Sequence, residues 1–232
     1  MDIIKEIKAS FKNGSVLTKL IYINLFLFLG LGISFSIIYL MNGNLAKLTY
    51  WFDLPASISI LIKKPWTIIT YMFTHFKFLH LLFNVLVLYW FGKIFLQYLT
   101  QKQLLGVYLT GGIVGAAFFV IAYNIFPVFA PVAGISSAVG ASASIMAIIF
   151  TLAILVPKHE IRLMLIGKVK IIYLAIIVAA IDIISIPYNN AGGHIAHIGG
   201  AAYGVVFALL YKDGKDISAW ITKIFDAIIN LF

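Results

Sequence analysis

Charge is what this chain most lacks. Asp, Glu, Lys and Arg make up only 11% of its 232 residues, against about a quarter in a soluble domain. With 62% hydrophobic residues and a mean hydropathy of +1.05, that scarcity excludes an ordinary water-soluble fold. It leaves a membrane protein that crosses the bilayer several times, with one domain's worth of residues. Cysteine is absent, which removes disulfides and thiolate chemistry together. Acidic residues are also few, and only Asp182 falls inside an apolar run. A mechanism that needs two intramembrane aspartates is therefore excluded. The zinc-protease pattern His-Glu-x-x-His is missing, because His159-Glu160 is followed by Leu163 where the second histidine belongs. The Gly-x-Ser-x-Gly of soluble serine hydrolases is missing too, because Ser144 stands at its fifth position and no strand is expected before it. There is no internal repeat and no low-complexity segment. The net charge of +9 comes from basic residues scattered along the chain. Phosphate tracking needs them clustered, so no nucleic-acid partner is expected.

What the chain does have is long apolar runs. They predict an all-α membrane protein with six transmembrane helices near 20–41, 79–99, 104–126, 138–156, 171–187 and 193–211. Residues 1–211 are read as a single domain. The first run is read as a span and not as a cleaved leader. The connection 42–78 contains an apolar stretch, but Lys63-Lys64-Pro65 breaks it, and its Trp51 and Trp66 suit a membrane interface. Thirteen of the seventeen lysine and arginine residues fall on the side of the N-terminus. That bias predicts both termini in the cytoplasm and a chain resident in the inner or plasma membrane. In the tail 212–232, Ile217, Trp220, Ile221, Ile224, Phe225, Ile228 and Leu231 recur at helical spacing, with Lys223 and Asp226 opposite. The expected form is an amphipathic helix on the inner surface.

Alternation of direction brings the starts of the second, fourth and sixth spans to one face of the membrane. His80 and Asn84 lie at the start of the second, Ser142 at the start of the fourth and His197 at the start of the sixth. Polar side chains at one shared depth in lipid are costly, which makes them candidates for function. Gly200 and Gly204 share a helix face with His197, and the fourth span carries Gly140, Ser144, Ala147 and Thr151 as a stripe of small residues. Small residues let helices approach closely in lipid. Such a contact would bring the His197 imidazole to the Ser142 hydroxyl. Histidine is the usual base for activating a serine, and Asn84, His80 and the backbone N–H groups near Ser142 could donate to an oxyanion. Asp182 is expected to meet water or a neighbouring helix, so the reading is a Ser–His dyad. His75 and His194 are expected to orient the loop and the outer end of the sixth span.

These residues resemble the rhomboid family of intramembrane serine proteases. The resemblance rests on His80-x-x-x-Asn84, on Gly140-Ala141-Ser142-Ala143 and on Ala196-His197-x-x-Gly200-x-x-x-Gly204, in that order on the matching spans. It covers roughly residues 65–204. It implies a six-span rhomboid-like bundle whose first loop is partly embedded in the membrane and whose fifth span is a lateral gate. It also implies Ser142 as nucleophile, His197 as base, and His80 and Asn84 at the oxyanion site. The substrates implied are transmembrane helices of other membrane proteins, cut near the outer leaflet, and the lipid bilayer is the other partner. No cofactor or metal is implied. Two residues depart from the family pattern: Ala143 where glycine is frequent after the serine, and Thr67 where arginine follows the loop tryptophan. Position 141 is alanine, not the proline that inactive relatives carry. The alternative reading is a non-catalytic rhomboid-like protein that binds membrane helices without cutting them. A transporter is disfavoured because the polar residues crowd one end of the spans.

Overall fold

A computed structural model describes residues 3–163 and 167–229. An amphipathic helix α1 (Ile3–Asn13) leads into α2 (Val16–Leu40). The first loop holds three short helices, α3 (Ala46–Tyr50), α4 (Ile58–Leu61) and α5 (Thr67–Thr70), with the two-residue strand β1 (Leu54–Pro55) between the first two. The helices α6 (Phe78–Tyr98) and α7 (Gln101–Ile125) follow. Strand β2 (Ser137–Ala138) precedes α8 (Ser142–Leu155). A hairpin of β3 (Glu160–Leu163) and β4 (Gly167–Lys170) joins α8 to α9 (Ile171–Ser185). The chain closes with α10 (Ala191–Lys212) and α11 (Ala219–Ile229).

Among the described residues, four helices are long and apolar enough to cross a membrane: α2, α6, α7 and α10. The expected spans at 138–156 and 171–187 appear as shorter apolar helices, α8 and α9. At 1.5 Å per residue α8 is about 21 Å long, well short of the roughly 30 Å hydrocarbon core. One cause is local. Gly140 has φ +118°, a conformation side chains rarely tolerate, so the backbone turns there and the helix starts at Ser142 instead of 138. The residues before the turn form β2, which pairs with β1 and so ties the first loop to the segment that presents the serine. At the other end of the chain order, α7 starts earlier than 104. Thr100 and Gln103 form a capping box that satisfies two free backbone donors reciprocally.

The centre of the molecule is the trio α7, α8 and α10. Gly200 and Gly204 of α10 lie against the backbone carbonyls of Ala143 and Ala147 on α8, so close that a Cβ at either glycine would collide with them. The Thr151 hydroxyl donates to the Gly204 carbonyl at 3.3 Å. This is the small-residue contact that the glycine spacing predicts. A second glycine face, Gly111 and Gly115 on α7, meets Ala147 and Ala143 from the other side. Large apolar side chains such as Leu29, Ile33, Phe83, Trp90, Ile121 and Ile177 point outward and are exposed. An outward apolar belt of this kind fits lipid, not water.

The first loop has its own interior. Lys64 is only 2% exposed. Its ammonium lies 3.3 Å from the Asp53 carboxylate, 3.8 Å over the Tyr50 ring and in contact with the Tyr50 carbonyl. The Thr67 hydroxyl donates to the Lys64 carbonyl at 2.8 Å, and Trp51 stacks on Trp66 at 5.6 Å. At Thr67 the chain thus has a buried threonine, and the cation that organises this loop comes from Lys64. The tail also packs against the bundle. Ser218 packs against Gly106 of α7 and Ile221 is buried, while Trp220 and Ile224 are exposed. The tail helix is docked on the bundle through α7. Leu231 and the side chains of Phe225, Asp226 and Ile228 lie outside the described residues.

Candidate active site

Three helix starts converge at one end of the bundle. Ser142 is the first residue of α8, His80 the third of α6, and His197 the seventh of α10. Because Gly200 seats α10 on the Ala143 carbonyl, His197, three residues earlier on the same face, is carried to Ser142. The His197 Nε2 lies 2.7 Å from the Ser142 Oγ. Both side chains are half-buried, which leaves them open to a cavity yet shielded from bulk water. His80 and Asn84 also line that cavity, whose volume is about 850 Å³. All four residues expected at the site are therefore gathered around one space.

The donors differ in how they are held. The Asn84 amide donates to the His80 carbonyl at 2.9 Å, one turn back on α6. That bond uses one of its two N–H groups and leaves the other for the cavity. The His80 ring lies against Gly140, where a Cβ would come within 2.7 Å of it. The Ser142 N–H is one of the unpaired donors at the start of α8, and the helix dipole adds partial positive charge there. Between them, these groups can receive negative charge developing on an oxygen near Ser142.

His75 braces the turn that presents the serine. Its Nε2 accepts from the Ala141 N–H at 3.4 Å and its Nδ1 faces the Phe73 carbonyl at 3.4 Å. A carbonyl only accepts and an amide only donates, so the ring carries its single proton on Nδ1. Burial, reinforced by the neighbouring His80, pushes His75 down to about 4, which agrees with a neutral ring. The Gly140 N–H donates to the Tyr71 carbonyl at 2.8 Å, completing the brace.

The reading of a bare Ser–His pair omits one group. Asp182 of α9 is 4% exposed, and its Oδ1 lies 2.9 Å from His197 Nδ1 and 2.7 Å from His194 Nδ1. The cause is the short connection at 186–190, which folds the end of α9 straight back onto the start of α10. The chain did carry a signal. Asp182 is the one acidic residue in an apolar span, and a carboxylate in lipid requires a partner. His194 and His197, three apart on a helix, offer it two. The ligand atoms of Asp182, His194 and His197 lie within 4.8 Å of one another, a spacing that could also hold a metal ion. In this arrangement Oδ1 is already shared between two imidazoles, and the three residues form a hydrogen-bonded network. His75 and His80 stand apart from it as a separate edge-to-face pair, their rings 5.0 Å apart.

A family profile described as Rhomboid domain matches residues 63–213. Two relatives are similar at 28% identity. Presenilin-associated rhomboid-like protein A, mitochondrial, of Danio rerio aligns over 57% of this chain and 34% of its own length. RHOMBOID-like protein 12, mitochondrial, of Arabidopsis thaliana aligns over 64% of this chain and 47% of its own. The chain thus spans between a third and a half of the relatives it matches. Both are named mitochondrial, which gives no support to the plasma membrane as its location; a multi-pass membrane protein is what the helices and the family match carry.

Proposed function

This chain belongs to the rhomboid family, and on that ground we propose that it is an intramembrane serine endopeptidase that cuts transmembrane helices of other membrane proteins. The observation that carries the proposal is the 2.7 Å approach of Ser142 Oγ to His197 Nε2 at the wall of a cavity between apolar helices. In this reading α8 and α9 join the four long helices as short members of a six-span, single-domain bundle over 1–211, with 212–232 as the tail. The lysine and arginine bias puts both termini on the positively charged side. The catalytic end, where α6, α8 and α10 begin, then faces the outer leaflet. One wall of the cavity is Val87 and Asn84 of α6, and the facing wall is Val178 and Ile181 of α9. A substrate helix would enter sideways between them, with α9 as the element that yields.

The chemistry follows from the groups. His197 Nε2 takes the Ser142 hydroxyl proton as Oγ attacks the substrate carbonyl carbon. The Ser142 N–H, the Asn84 amide and His80 donate to the resulting oxyanion. His197 then passes its proton to the leaving amine, and the C–N bond breaks. A water entering the cavity, deprotonated by His197, hydrolyses the acyl-enzyme and restores the serine. Removing bulk water from this site strengthens each of these interactions.

A fluorophosphonate probe tests the proposal, with intact-mass readout of wild type and Ser142→Ala in detergent or liposomes. The expected result is one adduct on wild type and none on the variant, together with loss of cleavage of a transmembrane substrate in the variant. An unlabelled wild type, or a variant that still cleaves, overturns the peptidase reading. The first of those results would favour a rhomboid-like protein that holds membrane helices without cutting them.

A further inference from the structure

We infer that Asp182 is a positioning residue for His197, and that its place on α9 makes the readiness of the base depend on α9 lying against α10. The inference rests on the reading of Ser142 and His197 as nucleophile and base. Three observations carry it.

The first is tautomeric. A carboxylate only accepts, and Asp182 Oδ1 faces Nδ1 of His197 at 2.9 Å. The proton of a neutral His197 is therefore held on Nδ1, which leaves the Nε2 lone pair aimed at Ser142 Oγ. The other tautomer would set an N–H against the hydroxyl and offer no base. The second is electrostatic. When the Ser142 O–H bond breaks and Nε2–H forms, the positive imidazolium has the Asp182 carboxylate beside it. Asp182 keeps its negative charge throughout, and the proton leaves with the amine.

The third concerns how α9 is held. Its buried residues are Ile171, Ala175 and Asp182. Past Ala175, Ile176, Ile177, Ile181, Ile183 and Ile184 are all exposed. In the half of α9 nearest the catalytic end, Val178 packs half-buried against the core, and the one fully buried side chain is Asp182, which makes its bonds to α10. His194 holds the same Oδ1 at 2.7 Å and takes no part in the serine chemistry. It acts as a second anchor that keeps the carboxylate in place while His197 changes charge. If α9 swings away, it takes the carboxylate from His197. The base is then fully prepared only with α9 back in its seat, which couples chemistry to closure around a bound helix.

Around His197 the titratable groups are Asp182 on α9, His194 on α10 and, lining the same cavity, His80 of α6 and Lys77 just before it. Asp182→Asn removes the charge and keeps the shape. The expected result is a fall in kcat of about 10²-fold or more, the direction set by the corresponding change in soluble serine proteases, with KM within about twofold of wild type. Asp182→Glu should restore part of kcat. A kcat within about twofold of wild type overturns the inference, as does a change confined to KM or thermal stability.

Should Asp182→Asn fail to fold, ¹⁵N-histidine NMR of the wild type decides. The His197 signal is assigned by its loss in His197→Gln. An Nδ1–H tautomer is expected, and an Nε2–H tautomer overturns the inference. If wild type shows no serine reactivity, the peptidase reading fails on its own account, and the tautomer still reports whether Asp182 orients His197.

Discussion

Two of the neighbours of α10, α8 and α9, hold it by opposite means. Against α8 the contact is backbone on backbone, with Gly200 and Gly204 laid on the Ala143 and Ala147 carbonyls. Against α9, near the catalytic end, it is one carboxylate between two imidazoles, flanked by isoleucines that face outward. In lipid an apolar side chain gains little by exchanging lipid tails for protein, so close packing and hydrogen bonds decide which helices stay together. The first contact has no slack. A change in the α8–α10 spacing therefore shifts His197 relative to Ser142. The second is held at this end chiefly by two hydrogen bonds to one carboxylate, so it is the joint expected to open if either does. Under the proposed function, a site that holds its nucleophile and base rigidly while admitting a helix from the side needs one joint of each kind.

The rigid joint is where substitution should do most damage. In Gly200→Leu, a side chain must occupy space held by the Ala143 carbonyl, and α10 is pushed off α8. A misplacement of reacting groups by about 1 Å is enough for a loss near 10²-fold, so kcat on a transmembrane substrate should fall by at least that factor, with a lower thermal midpoint in detergent. Gly200→Ala, assayed beside it, should show the same direction with a smaller fall. Wild-type turnover in Gly200→Leu would mean that the seam does not set the catalytic distance. Gly140→Ala comes next. Its φ of +118° and the His80 ring beside it resist a methyl group. Forcing that backbone costs about 1–3 kcal/mol, and if roughly 1.4 kcal/mol of it reaches the transition state, turnover falls about tenfold. A kinetic assay beside a thermal melt separates the two effects, and unchanged turnover would release His80 from any dependence on this turn.

How much of this was legible in the chain follows the same division. The rigid joint is written in short-range patterns. Gly200 and Gly204 at i and i+4, His197 on their face, and small residues on α8 fix a contact and a distance without further information. The elastic joint is not so written. That Asp182 meets α10 depends on the tight return at 186–190 and the left-handed Asn190, a tertiary outcome that span boundaries do not resolve. Its partner requirement was visible in its being an acid in lipid, but not the identity of the partner. The start of α8 at Ser142 escaped for a related reason. Hydropathy continues smoothly through Ala138 and Val139, and it does not register that Gly140 turns the backbone and that Ser137 and Ala138 pair with Leu54 and Pro55. The α1 helix and the docking of the tail on α7 were likewise missed or incomplete, because their apolar faces are short and say nothing of what covers them.

The smallest expected effects sharpen the contrast most, since one chemical change can be made in both regions. Ile148 on α8 is fully buried, and Ile177 on α9 is exposed. Ile148→Ala leaves a cavity in the packed trio, and the surroundings relax only in part. The cost should lie near the low end for such truncations, about 2 kcal/mol, because in lipid the transfer part of the penalty is small and the lost contacts remain. Ile177→Ala trims a side chain whose far side meets lipid, which flows in to replace it, so stability should stay within about 0.5 kcal/mol of wild type. Reversible unfolding in mixed detergent reads both, with the fluorophosphonate rate as a check on the site. Neither change alters Asp182, Ser142 or His197, so the Ile177→Ala rate should match wild type within about twofold. A loss at Ile177 as large as at Ile148 would mean that α9 is packed along its whole length, and the carboxylate would then no longer be what seats it.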